Sequence, residues 1–169
     1  MINGIDYLKK MYPDFDDEML QPSGCDLRLG RVFEIDDSLP CGIVDGNKVI
    51  PEYIEVKPQF FAEYGYKNSF CIEPGKPYIF EVDRQIKIGD SNAQFYLPRS
   101  TLLRCGVDVR TALGDSGYEG SLSFLVINHR NKEFYISKGE RFAQLVDFEA
   151  KGVSEEYDGD YQNDKHLEK

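Results

Sequence analysis

From residue 28 onward the chain breaks into short runs rich in β-branched and aromatic residues: RVFEI, CGIV, KVI, YIEV, SFCI, PYIFEV, AQFYL, SLSFLVIN, EFYI and FAQLVDF. Runs of this length and composition suit strands and are too short for independent helices. They are separated by turn chemistry, including Asp45-Gly46, Pro74-Gly75, Gly89-Asp90 and Lys138-Gly139. Glycine and aspartate tolerate the backbone reversals that such connections require. Many short strands punctuated in this way predict an all-β sandwich or barrel. The start of the chain departs from the pattern. In INGIDYLKKMY, Ile2, Ile5, Leu8 and Met11 recur at helical spacing, which predicts a short N-terminal helix.

With 169 residues and 41% hydrophobic content, one core is expected. No internal repeat or linker divides the chain, so residues 1–149 read as a single domain including the helix. Residues 150–169 carry many acids and few apolar side chains, and they read as a mobile acidic arm. Cys25, Cys41, Cys71 and Cys105 stand far apart with no C-x-x-C pair, which predicts reduced thiols in a cytoplasmic protein without structural zinc. The sequence contains no secretory leader pattern and no apolar run long enough to span a bilayer, so membrane association is not expected. A net charge of −10 would repel a phosphate backbone, so general nucleic-acid binding is not expected. Five arginines, Arg99, Arg104, Arg110, Arg130 and Arg141, nevertheless crowd one stretch of this acidic chain. Such a cluster either scatters over a solvated surface or holds a small polyanion, to which guanidinium presents a fixed fork of donors.

Four segments carry residue types that chemistry uses. QPSGCDLRLG, residues 21–30, has a Pro–Gly turn leading through Asp26 into a strand. In LPRSTLLR, residues 97–104, Pro98 ends a strand, and a helical turn is expected with Pro98 at its first position. The N–H groups of Arg99, Ser100 and Thr101 would then face outward beside Arg99 and Arg104, either as a surface turn or as an anion cradle. TALGDSGYEG, residues 111–120, holds Asp115 and Tyr118 among three glycines, which suits either a hairpin turn or a loop lying against a ligand. KGERFAQLVDF, residues 138–148, is a turn and strand whose apolar run is interrupted by Gln144, an amide that needs partners if buried.

Taken together and in order, GCDLRLG, PRSTLLR, GDSGYEG and GERFAQLV resemble the motifs of the dUTPase and dCTP deaminase superfamily, across roughly residues 20–162 and most nearly its archaeal-type dUTPases. The resemblance implies a distorted β-barrel or jelly roll of the β-clip kind, usually a homotrimer with active sites between subunits. Deaminases of the superfamily carry a proton-shuttling glutamate seven residues after the aromatic of the third motif. Here that position is Leu125, which cannot move protons. The dUTPase pattern of Asp, Tyr and Asn is matched by Asp115, Tyr118 and Asn128.

The activity implied is hydrolysis of dUTP to dUMP and pyrophosphate, with a dCTP deaminase, a bifunctional enzyme or a silent nucleotide-binding regulator as alternatives. Asp115 would orient and deprotonate the attacking water. Tyr118 would pack on the deoxyribose, while Arg99, Ser100, Thr101, Arg104 and Gln144 would bind phosphates. Magnesium (Mg2+) would ride on the triphosphate, with Asp26 contacting it through water. The chain's YDGDYQND segment is similar to the ending of the archaeal and deaminase branch, and implies further contacts from Tyr161 and Gln162.

Overall fold

The fold was obtained as a computed structural model, which describes residues 1–153 and 155–167. The expected helix forms as α1 (Ile5–Met11), which buries Leu8 and carries Lys9 and Lys10 in its last turn, where cations complement the helix dipole. Nine strands follow: β1 (Leu20–Gln21), β2 (Gly24–Ile35), β3 (Gly42–Val44), β4 (Asn47–Val49), β5 (Tyr53–Val56), β6 (Gln59–Phe61), β7 (Tyr66–Ile72), β8 (Pro77–Lys87) and β9 (Asn92–Pro98). One helical turn, α2 (Ser100–Arg104), leads to β10 (Val107–Arg110), β11 (Glu119–Asn128), β12 (Phe134–Ser137) and β13 (Arg141–Glu149). Every run expected to be a strand overlaps one, with Cys41, Ile50 and Glu133 falling just outside, and β1, β6 and β10 are additional.

The main sheet has the order β10-β11-β8-β2-β13-β9, with β1 and β5 also paired to β2. Strand β2 is long enough to serve two neighbours: its first part pairs with β13 and its second with β8. The sheet curls until its two edges meet. Gln94 on β9 and Gly114, just beyond β10, form an antiparallel bridge that exchanges both main-chain hydrogen bonds at 2.9 Å. This bridge makes the sheet barrel-like and removes part of an open edge.

Alternation along β11 sends Leu122, Phe124 and Val126 into the core and leaves Leu125 and Ile127 partly exposed. Phe124 meets Phe142 edge-on at 5.1 Å between ring centroids, and Phe142 meets Phe80 likewise at 5.6 Å. Full burial of each such ring contributes roughly 1.5–3 kcal/mol.

Two local expectations are corrected. Pro98 is the last residue of β9, and Arg99, in an extended conformation, caps α2; the proline therefore stands before the helix instead of at its first position. The acidic arm does not simply project from the domain: its residues 157–164 lie back on the segment 116–121. Tyr157 N–H donates to the Ser116 carbonyl at 2.8 Å, and the Asp164 carboxylate accepts from Ser121 N–H at 2.6 Å. The rest of the expected arm includes positions 154, 168 and 169, which lie outside the described residues.

Candidate functional site

Three of the four segments converge where β2, β13 and β9 lie side by side. Asp26 on β2 is directly opposite Gln144 on β13, and Gln144 is opposite Leu97 on β9. Gln144 crosses β2 at Gly24, where a Cβ would sit 3.2 Å from its Cγ and against the Leu145 carbonyl. The glycine of the first segment therefore makes room for the amide of the fourth. Asp26 is almost fully buried, and its Oδ2 lies 3.2 Å from Arg141 Nη1 and 3.5 Å from Arg99 Nε. Burial pushes its pKa up, while Arg99 and Arg141 pull it down. The net direction is upward.

Arg141 is the residue that motif reading left outside the site. Ordinary strand alternation puts residues three apart on opposite faces. A register shift between Arg141 and Ala143 leaves Phe142 and Ala143 both buried, which returns Arg141 and Gln144 to the same partly exposed face. Arg141 also donates to the Glu18 carbonyl at 2.5 Å, tying the segment before β1 to this cluster. Two consecutive buried residues inside an alternating run are the only sequence signal of such a bulge.

Helix α2 continues directly from this cluster. Leu102 is buried and anchors the turn, while Ser100, Thr101 and Arg104 are exposed. The anticipated trio of outward N–H groups is reduced, because Arg99 N–H donates to the Phe142 carbonyl at 3.0 Å. The cluster still sets Arg99 and Arg141 on the Asp26 carboxylate, and exposed Arg104, whose Nη1 lies 3.5 Å from Ser100 Oγ, stands on the adjoining helical turn.

The third segment stands apart. Gly114 pairs with Gln94, and the Ser116 hydroxyl donates to the Asn92 carbonyl at 2.6 Å. Asp115, between these two ties, is exposed. From Gln94 to Pro98 the strand β9 spans about 13 Å, so Asp115 lies toward one end of β9 and the arginine cluster at the other.

Tyr118 is half-buried, with its hydroxyl donating to the Ser121 carbonyl at 2.9 Å and its ring edge-on to Tyr157 at 5.7 Å. Burial raises its pKa far above the usual tyrosine value, so it stays a neutral hydroxyl. Gly117 has φ +79°, and a Cβ there would lie 2.7 Å from Glu156 Cβ. This loop glycine accommodates the chain's own arm.

The arm meets this loop through Gln162. Gln162 spends both ends of its amide on the loop: Oε1 accepts from Glu119 N–H at 3.0 Å, and Nε2 donates to the Gly117 carbonyl at 2.9 Å. Gln162 thus clamps the loop instead of presenting an open amide. Tyr161 is 42% exposed. Asn128, which completed the Asp–Tyr–Asn pattern, lies at the far end of β11 and is fully buried; its side chain donates to the Ile72 and Lys132 carbonyls and accepts from Arg130 N–H. Its role in this fold is to build a turn.

A family model described as dCTP deaminase-like matches residues 5–150, and the chain belongs to that family. Among curated relatives, "Probable deoxyuridine 5'-triphosphate nucleotidohydrolase" of Methanothermobacter thermautotrophicus is 41% identical over 162 residues, covering 96% of this chain and 99% of its own. The protein of the same description from Methanopyrus kandleri is 39% identical, covering 95% and 99%. "Deoxyuridine 5'-triphosphate nucleotidohydrolase" of Methanocaldococcus jannaschii is 32% identical, covering 95% and 98%. The fold is similar to that of 2'-deoxycytidine 5'-triphosphate deaminase from Agrobacterium tumefaciens, with a TM-score of 0.64 at 18% identity. That match covers 86% of this chain and 47% of the deaminase chain.

Proposed function

We propose that the protein is a dUTP diphosphatase that hydrolyses dUTP to dUMP and pyrophosphate. The observation that carries this reading is the presence of Arg99 and Arg141 on one buried carboxylate, beside the helical turn that bears Arg104 and suited to a triphosphate, together with a separate exposed carboxylate, Asp115, flanked by the Gly114–Gln94 main-chain bridge and the Ser116 hydroxyl bond to the Asn92 carbonyl. Near-full-length relatives named for the same reaction support it. Leu125, on the partly exposed face of β11 where superfamily deaminases require a glutamate, argues against amine release.

Arg99, Arg104 and Arg141 would neutralise the phosphates, with Ser100, Thr101 and Gln144 donating to their oxygens. Asp115 would accept a proton as water attacks the α-phosphorus. The new bond joins that oxygen to phosphorus, and the bond to the bridging oxygen breaks to release pyrophosphate. Tyr118 would border the deoxyribose. The described residues contain no group of three or more His, Cys, Asp or Glu able to hold a metal, and Asp26 is spent on two guanidiniums. Magnesium therefore fits as part of the substrate, Mg·dUTP, where it offsets charge on the leaving group. Asp26 would reach it only through water.

A homotrimer with sites between subunits is part of this reading. The two halves of the candidate site lie toward opposite ends of β9, and a neighbouring copy could bring one chain's arginines to another's Asp115. Phe95 and Leu97 on the outer face of β9 are 57% and 53% exposed, with Leu113 nearby in sequence to the bridge at 47%, a surface suited to burial against a second chain. Among the described residues no helix is long and apolar enough to cross a membrane, and a cytoplasmic location accords with the free cysteines. Incubation with magnesium and either dUTP or dCTP, following pyrophosphate and ammonia separately, tests the proposal. Pyrophosphate from dUTP alone is expected; ammonia from dCTP would replace this reading with deamination, and neither product would leave a silent binder.

A further inference from the structure

Asp147 on β13 is fully buried, on the core face, directly opposite Gln94. Its carboxylate is held by amides: Oδ1 accepts from Asn3 Nδ2 at 2.7 Å and Asn92 Nδ2 at 2.6 Å, and Oδ2 accepts from Gln94 Nε2 at 3.0 Å. The network continues through tyrosines. Tyr96 hydroxyl donates to Gln94 Oε1 at 2.8 Å, Tyr7 hydroxyl donates to Asn92 Oδ1 at 3.1 Å, and Tyr12 hydroxyl bonds Gln94 Nε2 and the Lys87 carbonyl. A buried carboxylate is tolerated only when its lone pairs are satisfied, and such a network is rigid because each lost bond leaves an unpaired buried group.

The network grips the corner between β8 and β9, and that corner holds the Asp115 loop at three points. Gln94 exchanges main-chain bonds with Gly114; the Asn92 carbonyl accepts from Ser116; and Ile88 N–H donates to the Tyr118 carbonyl at 2.8 Å. Two of these points are the immediate neighbours of Asp115. The network's amide-bearing residues Gln94 and Asn92 are the same residues whose backbones make those two ties. Nothing in the four recognised segments requires an acid at position 147, which falls where the strand pattern calls for a core residue.

We propose that Asp147 is a positioning residue for Asp115, acting through the side chains of Gln94 and Asn92 to hold the β8–β9 corner and the loop closed upon it. The inference rests on the reading of Asp115 as the base in dUTP hydrolysis, but its geometric part is testable without turnover. Asp147→Leu keeps bulk and removes the acceptors from three amides, of which Asn92 and Gln94 are buried. Asp147→Asn restores one acceptor for Asn3 and Asn92, and its Nδ2 pairs with Gln94 once that amide turns over. Tyr12→Phe, a milder change, cuts only the hydroxyl joining Gln94 to Lys87.

The experiment measures amide hydrogen exchange across residues 112–118, together with kcat and KM for Mg·dUTP, in parent and variants at a temperature where circular dichroism shows them folded. Positioning predicts faster exchange of this loop in Asp147→Leu and, to a lesser extent, Tyr12→Phe, with β11 protected as in the parent. It also predicts a kcat loss of roughly 10- to 100-fold for Asp147→Leu at nearly constant KM, and recovery of most of that loss in Asp147→Asn. If Asp147→Leu does not fold, Tyr12→Phe decides the question by the same loop exchange. Unchanged loop exchange, or a lowered melting temperature with kcat intact, would overturn the proposal and leave Asp147 a core residue only. If the parent releases no pyrophosphate while loop exchange still responds, the assignment of dUTP hydrolysis fails and the positioning geometry stands.

Discussion

Asp26 and Arg141, separated along the chain by most of its length, meet at 3.2 Å because β2 and β13 are antiparallel neighbours with a bulge beside Arg141. Asp26 is only 3% exposed, while Arg141 reaches it from a partly exposed position. Ionisation of Asp26 therefore contributes to how stability depends on pH.

Burial outweighs the two arginines and raises the Asp26 pKa above its usual value. A carboxyl whose folded-state pKa is raised contributes stability that is fully present below the unfolded-state pKa and declines as pH rises through the folded one. Asp26→Asn removes that titration. The difference in melting temperature between variant and parent should therefore shift in favour of the variant as pH rises from about 4 toward neutrality. Thermal unfolding at several pH values checks this, and a pH-independent difference would contradict the raised value.

Asp115→Asn should retain nucleotide binding and lose turnover by ~10²–10⁴-fold, the usual effect of removing one general base. Because Asp115 is exposed and the loop is tied through its neighbours, Gly114 by its main chain and Ser116 by its hydroxyl, the melting temperature should hardly change. Titration with a non-hydrolysable dUTP analogue beside steady-state kinetics separates the two effects. Near-parent turnover would assign water activation to another group.

Gly117→Ala introduces a Cβ at φ +79° and within 2.7 Å of Glu156 Cβ. The left-handed conformation costs roughly 1–2 kcal/mol for a residue with a side chain, and the clash falls on the arm's own backbone neighbourhood. The expected result is a modest loss of stability with the arm released from the loop, read as faster limited proteolysis of residues 155–164. Unaltered proteolysis would show that the arm does not depend on this contact.

Cys25 is fully buried, and desolvation, reinforced by Asp147 and Asp26, pushes its thiol pKa up to about 12. Cys41 is exposed. A thiol reagent at pH 8 should modify Cys41 quickly and leave Cys25 untouched until the protein unfolds, as counted by mass spectrometry. Rapid labelling of Cys25 in the folded state would mean that the β2–β13 region opens readily.

Composition and local pattern were enough to read the all-β class and the N-terminal helix, because strand alternation and turn chemistry depend on neighbours within a few residues; the segments around Asp26, Arg99, Asp115 and Gln144 stood out only together and in order, through their resemblance to a known family's motifs. The bulge that turns Arg141 toward Asp26, the second use of Gly117 as a seat for the arm, the engagement of Gln162 and the retirement of Asn128 to a turn were decided by the tertiary structure. So was the amide cage around Asp147, whose members come from the N-terminal segment, Asn3 and Tyr12, and from β9, Asn92 and Gln94. Local sequence specifies which face a strand residue prefers, but a hydrogen-bond partner far along the chain is chosen only when the sheet's register is set, and a single bulge reverses every face beyond it.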